Sequence, residues 1–262
     1  MDRGMRLLIS LSLRELKELN NVSNYLKGTL SNKIELDISR LARSSDFERF
    51  VPLLAIELED HLRDRVEYIR VAGSIDKDVI DRLLSLIDYL DIDKLILDYE
   101  NDVEKLYNVV DEAALYGVRV IWRLRHELPI DEAAEIADEL APHRFRVCID
   151  VSGKRSIRDF VRQLLGLGGY IEVIYLDNKS AEKRGLPIFH TEGKINYVKV
   201  FKILKCVNYE RDLVLKYRRS FYDAYARDIE LAESIMGSVG SQVVDSRTKR
   251  LVESILREMM NL

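Results

Sequence analysis

Ionisable side chains recur at every second position of short apolar runs in this chain. Glu35 and Asp37, Tyr68 and Arg70, Asp98 and Glu100, Arg123 and Arg125, Tyr175 and Asp177 alternate with aliphatic or aromatic neighbours such as Leu36, Ile69, Leu97, Leu124 and Leu176. Asp150 and Lys216 end similar runs. A strand sends successive side chains to opposite faces, so each run has one apolar and one ionic face. Unpaired buried charge costs several kcal/mol, so the ionic faces must pair with one another or open onto solvent and ligand. Arg70, Arg123 and Arg125 could hold an oxyanion or carboxylate. A desolvated Lys216 could serve as a base or a Schiff-base amine, with Asp150 or Tyr175 as its proton partner. The chemistry this permits is metal-free enolisation next to a carbonyl.

The elements that must position these residues follow from periodicity. A period-two apolar run followed by an amphipathic stretch of period near 3.6 recurs eight times. The strands expected are Arg6–Ser12, Lys33–Ser39, Val66–Gly73, Lys94–Glu100, Val118–Arg125, Phe145–Ser152, Ile171–Asn178 and Asp212–Tyr217. Helical patterns such as Phe47–Leu62, Lys77–Tyr89 and Asp102–Tyr116 lie between them. Ser74 to Asp76 and Asn101-Asp102 can cap following helices, and Gly117 can end a preceding one. Strand-helix alternation implies a parallel sheet, and eight units imply an α/β fold of the (β/α)₈ barrel type. A doubly wound open sheet is the alternative, without a GxGxxG turn to support it. In a barrel the ionic face points into the lumen, and sites gather at the carboxyl ends of the strands. Arg125, Asp150, Tyr175, Asp177 and Lys216 end the ionic faces at that rim. The expected division is a barrel over residues 1–236 and a C-terminal extension over 237–262, with Ser238–Ser246 as linker and Arg247–Leu262 as an amphipathic helix suited to closing the barrel or forming a homo-oligomer.

Composition removes whole classes. Of 262 residues 47% are hydrophobic and 33% charged, with 4 Pro and 12 Gly, which excludes disordered and fibrous chains. No apolar run is long enough to span a membrane, for which ~18 residues are needed. With 41 Lys and Arg against 45 Asp and Glu, the formal charge is -4, so nucleic acid is an unfavourable partner unless a local basic patch recruits it. Cys148 and Cys206 show no CxxC spacing, which argues against a disulfide scaffold or zinc site and fits a reducing cytoplasm. Abundant charge of both signs fits a heat-adapted protein. The apolar stretch Leu7–Leu13 alternates with serines and reads as a first strand, not a signal peptide.

The last third carries a further pattern: Ile174-Tyr175-Leu176-Asp177-Asn178, then Gly185-Leu186-Pro187 through His190-Thr191-Glu192-Gly193-Lys194-Ile195-Asn196-Tyr197, then Leu213-Val214-Leu215-Lys216. Its order and spacing resemble the xylose isomerase-like TIM-barrel superfamily, which includes sugar phosphate isomerases and epimerases and type IV AP endonucleases. The resemblance implies a barrel over about residues 6–236 and a pocket at its carboxyl rim. Family members hold a divalent metal with a Glu from the fifth strand, an Asp from the sixth, a His near the seventh and a Glu from the eighth. Asp150 falls at the Asp position, whereas Arg125, Tyr175 and Lys216 stand at the other three and Gly153 where many members place a further His. The resemblance therefore implies a degenerate metal site, with Arg125 and Lys216 in the metal's place beside Asp150, and no metal or cofactor is expected.

The long connection from Lys179 to Asn196 is a candidate active-site loop, with His190 and Glu192 as candidate ligand contacts. Arg218 and Arg219 precede a helix start near Ser220, a place suited to phosphate. His61, His126 and His143 read as surface or capping residues, and Cys148 as buried. The expected function is binding of a small anionic ligand such as a sugar phosphate at the rim, with metal-independent isomerase or epimerase-like activity. An AP endonuclease-related DNA-binding role and a non-catalytic structural or regulatory barrel are the alternatives.

Overall fold

The computed structural model describes residues 5–15, 18, 33–44, 47–62, 64–73, 77–98, 103–124, 128–241 and 245–260. Eight parallel strands close into one barrel: β1 (Arg6–Ser12), β2 (Ile34–Asp37), β3 (Val66–Ala72), β4 (Lys94–Asp98), β5 (Arg119–Arg123), β6 (Arg146–Asp150), β7 (Ile171–Leu176) and β10 (Asp212–Leu215). β10 pairs with both β7 and β1, which completes the ring. The remaining strands, β8 (Asn178–Lys179) and β9 (Arg184–Leu186), form an antiparallel hairpin in the loop after β7.

The helices between strands are α2 (Phe47–Leu62), α3 (Lys77–Tyr89), α4 (Val103–Leu115), α5 (Ile130–Leu140), α6 (Ile157–Leu167) and α7 (Tyr197–Cys206), with a single turn, α1 (Ser39–Ala42), after β2. Two more, α8 (Tyr225–Ser241) and α9 (Ser246–Met259), follow β10. Their apolar faces meet the apolar faces of the strands in one continuous core, in which Leu36, Ile69, Leu97, Ile149, Ile174 and Leu213 are fully buried. Each such side chain gains about 1.5–3 kcal/mol from leaving water, which fixes the register and commits the opposite parity to the lumen.

The lumen is layered. Leu8, Tyr68, Ile96, Ile121, Cys148, Val173, Tyr175 and Val214 form a dry plug across its middle. Toward the amino ends of the strands, Arg6 pairs with Asp212 at 2.6 Å and Glu67 at 3.0 Å, Lys94 pairs with Glu67 at 2.5 Å, and the Tyr68 hydroxyl donates to Asp212. Toward the carboxyl ends a second ionic layer begins, described below. Cys148 is fully buried in the plug, where burial pushes its thiol well up and leaves it inert.

Strand pairing ends earlier than the apolar pattern does. The pattern reaches Ser39, Ser152, Asn178 and Tyr217, but the strands stop at Asp37, Asp150, Leu176 and Leu215, because competing partners take the backbone beyond. Ser39 already opens α1, and Asn178 pairs with Leu186 in the hairpin. The strand end expected at Glu100 and Arg125, the caps at 74–76 and 101–102, and His126 lie outside the described residues, as does the side chain of His61. The stretch from Ser238 expected as linker is helical as far as Ser241, since Gly237 is accommodated inside α8 with no crowding at its Cα. The last helix starts at Ser246, capped by Asp245, which accepts from the Thr248 N–H at 2.9 Å. It buries Val252 and Ile255 and packs on α6 and α7.

Candidate functional site

The carboxyl ends of β2 to β6 hold a chain of charges. Arg70 donates to Asp37 and, at 2.8 Å, to Asp98. Arg123 reaches Asp98 at 2.5 Å and grips Asp150 with both Nε and Nη2, at 2.8 and 2.9 Å. Burial alone would raise these carboxyls, yet Arg123 and Arg70 hold Asp98 well below the usual range, and Arg123 lowers Asp150 as well. Both guanidiniums are therefore committed to carboxylates. Arg70, 4% exposed, sits within this network and does not line the rim cavity.

A cavity of about 520 Å³ opens above this layer, within the range of small-molecule pockets, ~300–1,000 Å³. Its ionic lining is Asp98, Asp150 and Asp177 against Arg123, Arg184, Lys216 and Arg218. Lys216 follows β10, and its Nζ lies 4.5 Å from the centre of the Tyr175 ring, while the Arg123 guanidinium lies 5.1 Å from the same ring. Tyr175 thus forms an aromatic seat for two cations. Lys216, Arg184 and Arg218 make no side-chain hydrogen bond or ion pair among the described residues. Burial, together with repulsion from Arg70 and Arg123, pushes the Lys216 ammonium down to about 8.

Asp177 lies just beyond β7. It accepts from Ser152 Oγ at 2.6 Å and from the Gly185 N–H at 3.0 Å. Burial pushes its carboxyl up to about 6, with Ser152 opposing the rise and the charge of Asp150 adding to it. Gly185 also accepts from the Arg218 N–H at 2.9 Å. It can do both because its φ of +69° and missing Cβ let it approach Arg218, whose Cγ would stand 3.0 Å from an added Cβ. The hairpin that carries Arg184 is held by buried Asn178, which donates to the carbonyls of Ile188 and Ile195 and accepts from the N–H groups of Lys179 and Ile195.

The structure thus brings together Lys216, Asp150, Arg123, Asp177 and Arg218 from the expected set. Tyr175 is fully buried, and its hydroxyl donates to Glu35 inside the barrel, Ser10 donating to the same carboxylate at 2.7 Å. Burial and Glu35 push that phenol well above its ordinary value, and Tyr175 does not line the cavity, its hydroxyl pointing to Glu35 instead. His190 packs edge-on against Phe221 and accepts from the Glu192 N–H at 3.2 Å, while exposed Glu192 lies 3.8 Å from Lys183. Neither lines the cavity. Arg219 is paired with Glu18 at 2.6 Å, and the turn it opens, Arg219–Ala224, is 3₁₀. His143 stands 3.2 Å from Asp111, a surface pairing. Arg125 lies outside the described residues, and the cation found neutralising Asp150 is Arg123. Sequence reasoning missed Ser152, which continues the inward parity from Asp150 and was legible in that sense. It also missed Arg184 and Gly185, which only the hairpin brings to the rim.

The donors at the rim do not suit a hard divalent ion. Among the described residues no three His, Cys, Asp or Glu side chains gather as ligands. Asp98 and Asp150 already face arginine, and the neighbouring Lys216 would repel a cation.

No family model and no curated protein sequence matches the chain. Solved structures do match in fold. A xylose isomerase domain protein from Planctomyces limnophilus has 9% identity and a TM-score of 0.63 over 90% of this chain and 97% of its own. The probable 3-DHS dehydratase AsbF from Bacillus anthracis has 13% identity and 0.59 over 90% and 99%. A xylose isomerase-like TIM-barrel protein from Mycobacterium smegmatis, solved with magnesium, has 14% and 0.56 over 86% and 88%. At these identities the likeness is one of architecture: the chain has the closed eight-stranded parallel barrel shared by xylose isomerase-like TIM-barrel proteins.

Proposed function

We propose that the barrel mouth binds a small phosphorylated carbonyl compound of the sugar phosphate type and moves a proton beside its carbonyl without a metal. The observation that carries this reading is a trio of cations without an ion pair among the described residues, Lys216, Arg184 and Arg218, sharing one cavity with a carboxyl, Asp177, whose ordinary acidity is weakened. Arg184 and Arg218 suit a phosphate, for which guanidinium offers charge-assisted and bidentate hydrogen bonds. Lys216 suits the carbonyl oxygen, where an ammonium stabilises developing negative charge. Arg123 and Asp150 fix the floor.

Asp177 as carboxylate takes a proton from the carbon next to the carbonyl, and Lys216 gives one to the oxygen, producing an enediol. Asp177 then delivers its proton to the former carbonyl carbon while the neutral Lys216 amine takes one from the hydroxyl on the carbon that lost its hydrogen, which gives the isomer. Both residues end in their starting states. Asp177 is ionised above about 6 and Lys216 charged below about 8, so turnover peaks between these values. The test is incubation with aldose and ketose phosphates in D₂O, in the presence of chelator, followed by NMR. Deuterium entering at the carbon beside the carbonyl, and lost at least a hundredfold in Lys216→Met and Asp177→Asn, supports the reading. No exchange with any member of the panel, or exchange abolished by the chelator, overturns it.

A further inference from the structure

A second cavity of about 390 Å³ lies between the loops that follow β6 and β7, on residues that do not line the mouth. Five cations line it, Lys154, Arg155, Lys179, Lys194 and Lys199, and no carboxylate does. None of the five forms an ion pair among the described residues. Two helices begin at this cavity: α6 through its cap Ser156 and α7 through its cap Asn196, both of which line it. Each cap spends its side chain on one first-turn N–H, from Asp159 and Lys199 respectively. The earlier N–H groups of each first turn have no partner within the helix, and the positive ends of two macrodipoles converge on one space.

Lys154 is the side chain that turns this geometry into a site. It is only 7% exposed and lines the cavity, yet among the described residues it makes no side-chain hydrogen bond or ion pair. A buried ammonium without a partner is costly, and burial pushes it down to about 8 even though Asp150 and Asp159 oppose the fall. Lys179 braces the same wall, donating to the Lys154 carbonyl at 2.8 Å, and its own ammonium is lowered by burial and by Arg184. The carboxylates acting on the cavity's lysines among the described residues are Asp159, itself held by Ser156 at 2.9 Å, Asp150, which Arg123 neutralises from the lumen side, and Asp177, held by Ser152 and the Gly185 N–H. The space exceeds what one water needs and suits a tetrahedral oxyanion with a group attached.

We infer that this cavity is a second anion site, distinct from the barrel mouth, that takes the phosphate group of a small molecule against Lys154 and the amino ends of α6 and α7. Because its walls are the loops that also carry Asp150, Asp177 and Arg184, occupancy would couple to the mouth through those loops. The assignment does not depend on the mouth being catalytic.

The experiment is calorimetric titration of the full chain with inorganic phosphate and with pyrophosphate at low ionic strength. It compares wild type, Lys154→Met, the double variant Lys194→Ala/Lys199→Ala, and the mouth variant Arg184→Ala/Arg218→Ala. Saturable binding that weakens at least tenfold in Lys154→Met and measurably in the exposed double variant, but survives in the mouth variant, is the expected result. The double variant replaces exposed side chains and retains the fold, so it carries the test if Lys154→Met does not fold. Binding that is absent, unaffected by both sets of lysine changes, or lost only in the mouth variant overturns the assignment. Binding of a DNA duplex in place of phosphate or pyrophosphate overturns it equally.

Discussion

Replacing Arg123 with methionine removes a cation that grips Asp150 with two hydrogen bonds and Asp98 with a third. Asp98 keeps Arg70 at 2.8 Å, so the damage concentrates on Asp150, 8% exposed. Removing one partner of a buried pair costs about 3–5 kcal/mol. Because the site opens to water and the Arg123 side chain is itself 22% exposed, the loss at pH 7 falls near the lower end, about 3 kcal/mol. The pH dependence is diagnostic. In the wild type Asp150 is held below its unfolded value, so its contribution is present above that value and fades as acid protonates it. Without Arg123, burial raises the carboxyl above the unfolded value, the folded state binds the extra proton, and stability falls as pH rises toward neutrality. Urea unfolding at pH 5 and pH 7 reads both effects. Arg123→Met should lose more at pH 7 than at pH 5, and adding Asp150→Asn should restore most of the loss. A change under 1 kcal/mol at pH 7, or a loss that Asp150→Asn does not relieve, refutes the reasoning.

Other predictions follow from single contacts. Asp177, raised to about 6 from an unfolded value near 4, makes the folded state lose about 3 kcal/mol as pH climbs through that interval; Asp177→Asn flattens the stability profile there, and an unchanged profile argues against the assignment. Gly185→Ala forces a left-handed residue against Arg218, costing about 1–2 kcal/mol, lowering the melting temperature and weakening ligand binding together. Tyr175→Phe strands part of the hydrogen bonding of Glu35 and costs about 1–3 kcal/mol, while ligand affinity at the mouth stays within twofold by calorimetry.

The barrel was readable because two periods, 2 and 3.6, each reflect what must be buried: Leu36, Ile69 and Leu97 can only face the helices, and that choice sends Asp37, Arg70 and Asp98 inward. The same parity exposed most of the rim, down to Lys216 and Asp177. Parity fails once strand pairing ends. Arg184 reaches the cavity through a two-stranded hairpin whose geometry depends on Asn178 and Gly185, and no periodicity encodes it. It also fails to tell which way a long side chain reaches. Tyr175 has the inward parity of a site residue, yet its hydroxyl turns toward Glu35 and Ser10, leaving only its ring beneath the cations. His190 and Glu192 were singled out from a loop pattern, and the loop folds them against Phe221 and Lys183 instead. Lys154 continues the alternation from Asp150 and Ser152, but that it makes no ion pair among the described residues is visible only when the loops after β6 and β7 are seen together.

The most direct test of the central reading is a thermal-shift and calorimetric screen of aldose and ketose phosphates against the wild type, Lys216→Met and Arg184→Ala/Arg218→Ala. A ligand that binds only the folded state at a hundred times its Kd adds ~2.7 kcal/mol, enough for a shift of several degrees. The account predicts saturable stabilisation by at least one phosphorylated sugar that drops at least tenfold in affinity in both sets of variants. The absence of stabilisation by the panel at millimolar concentration, or equal stabilisation of all three proteins, would contradict it.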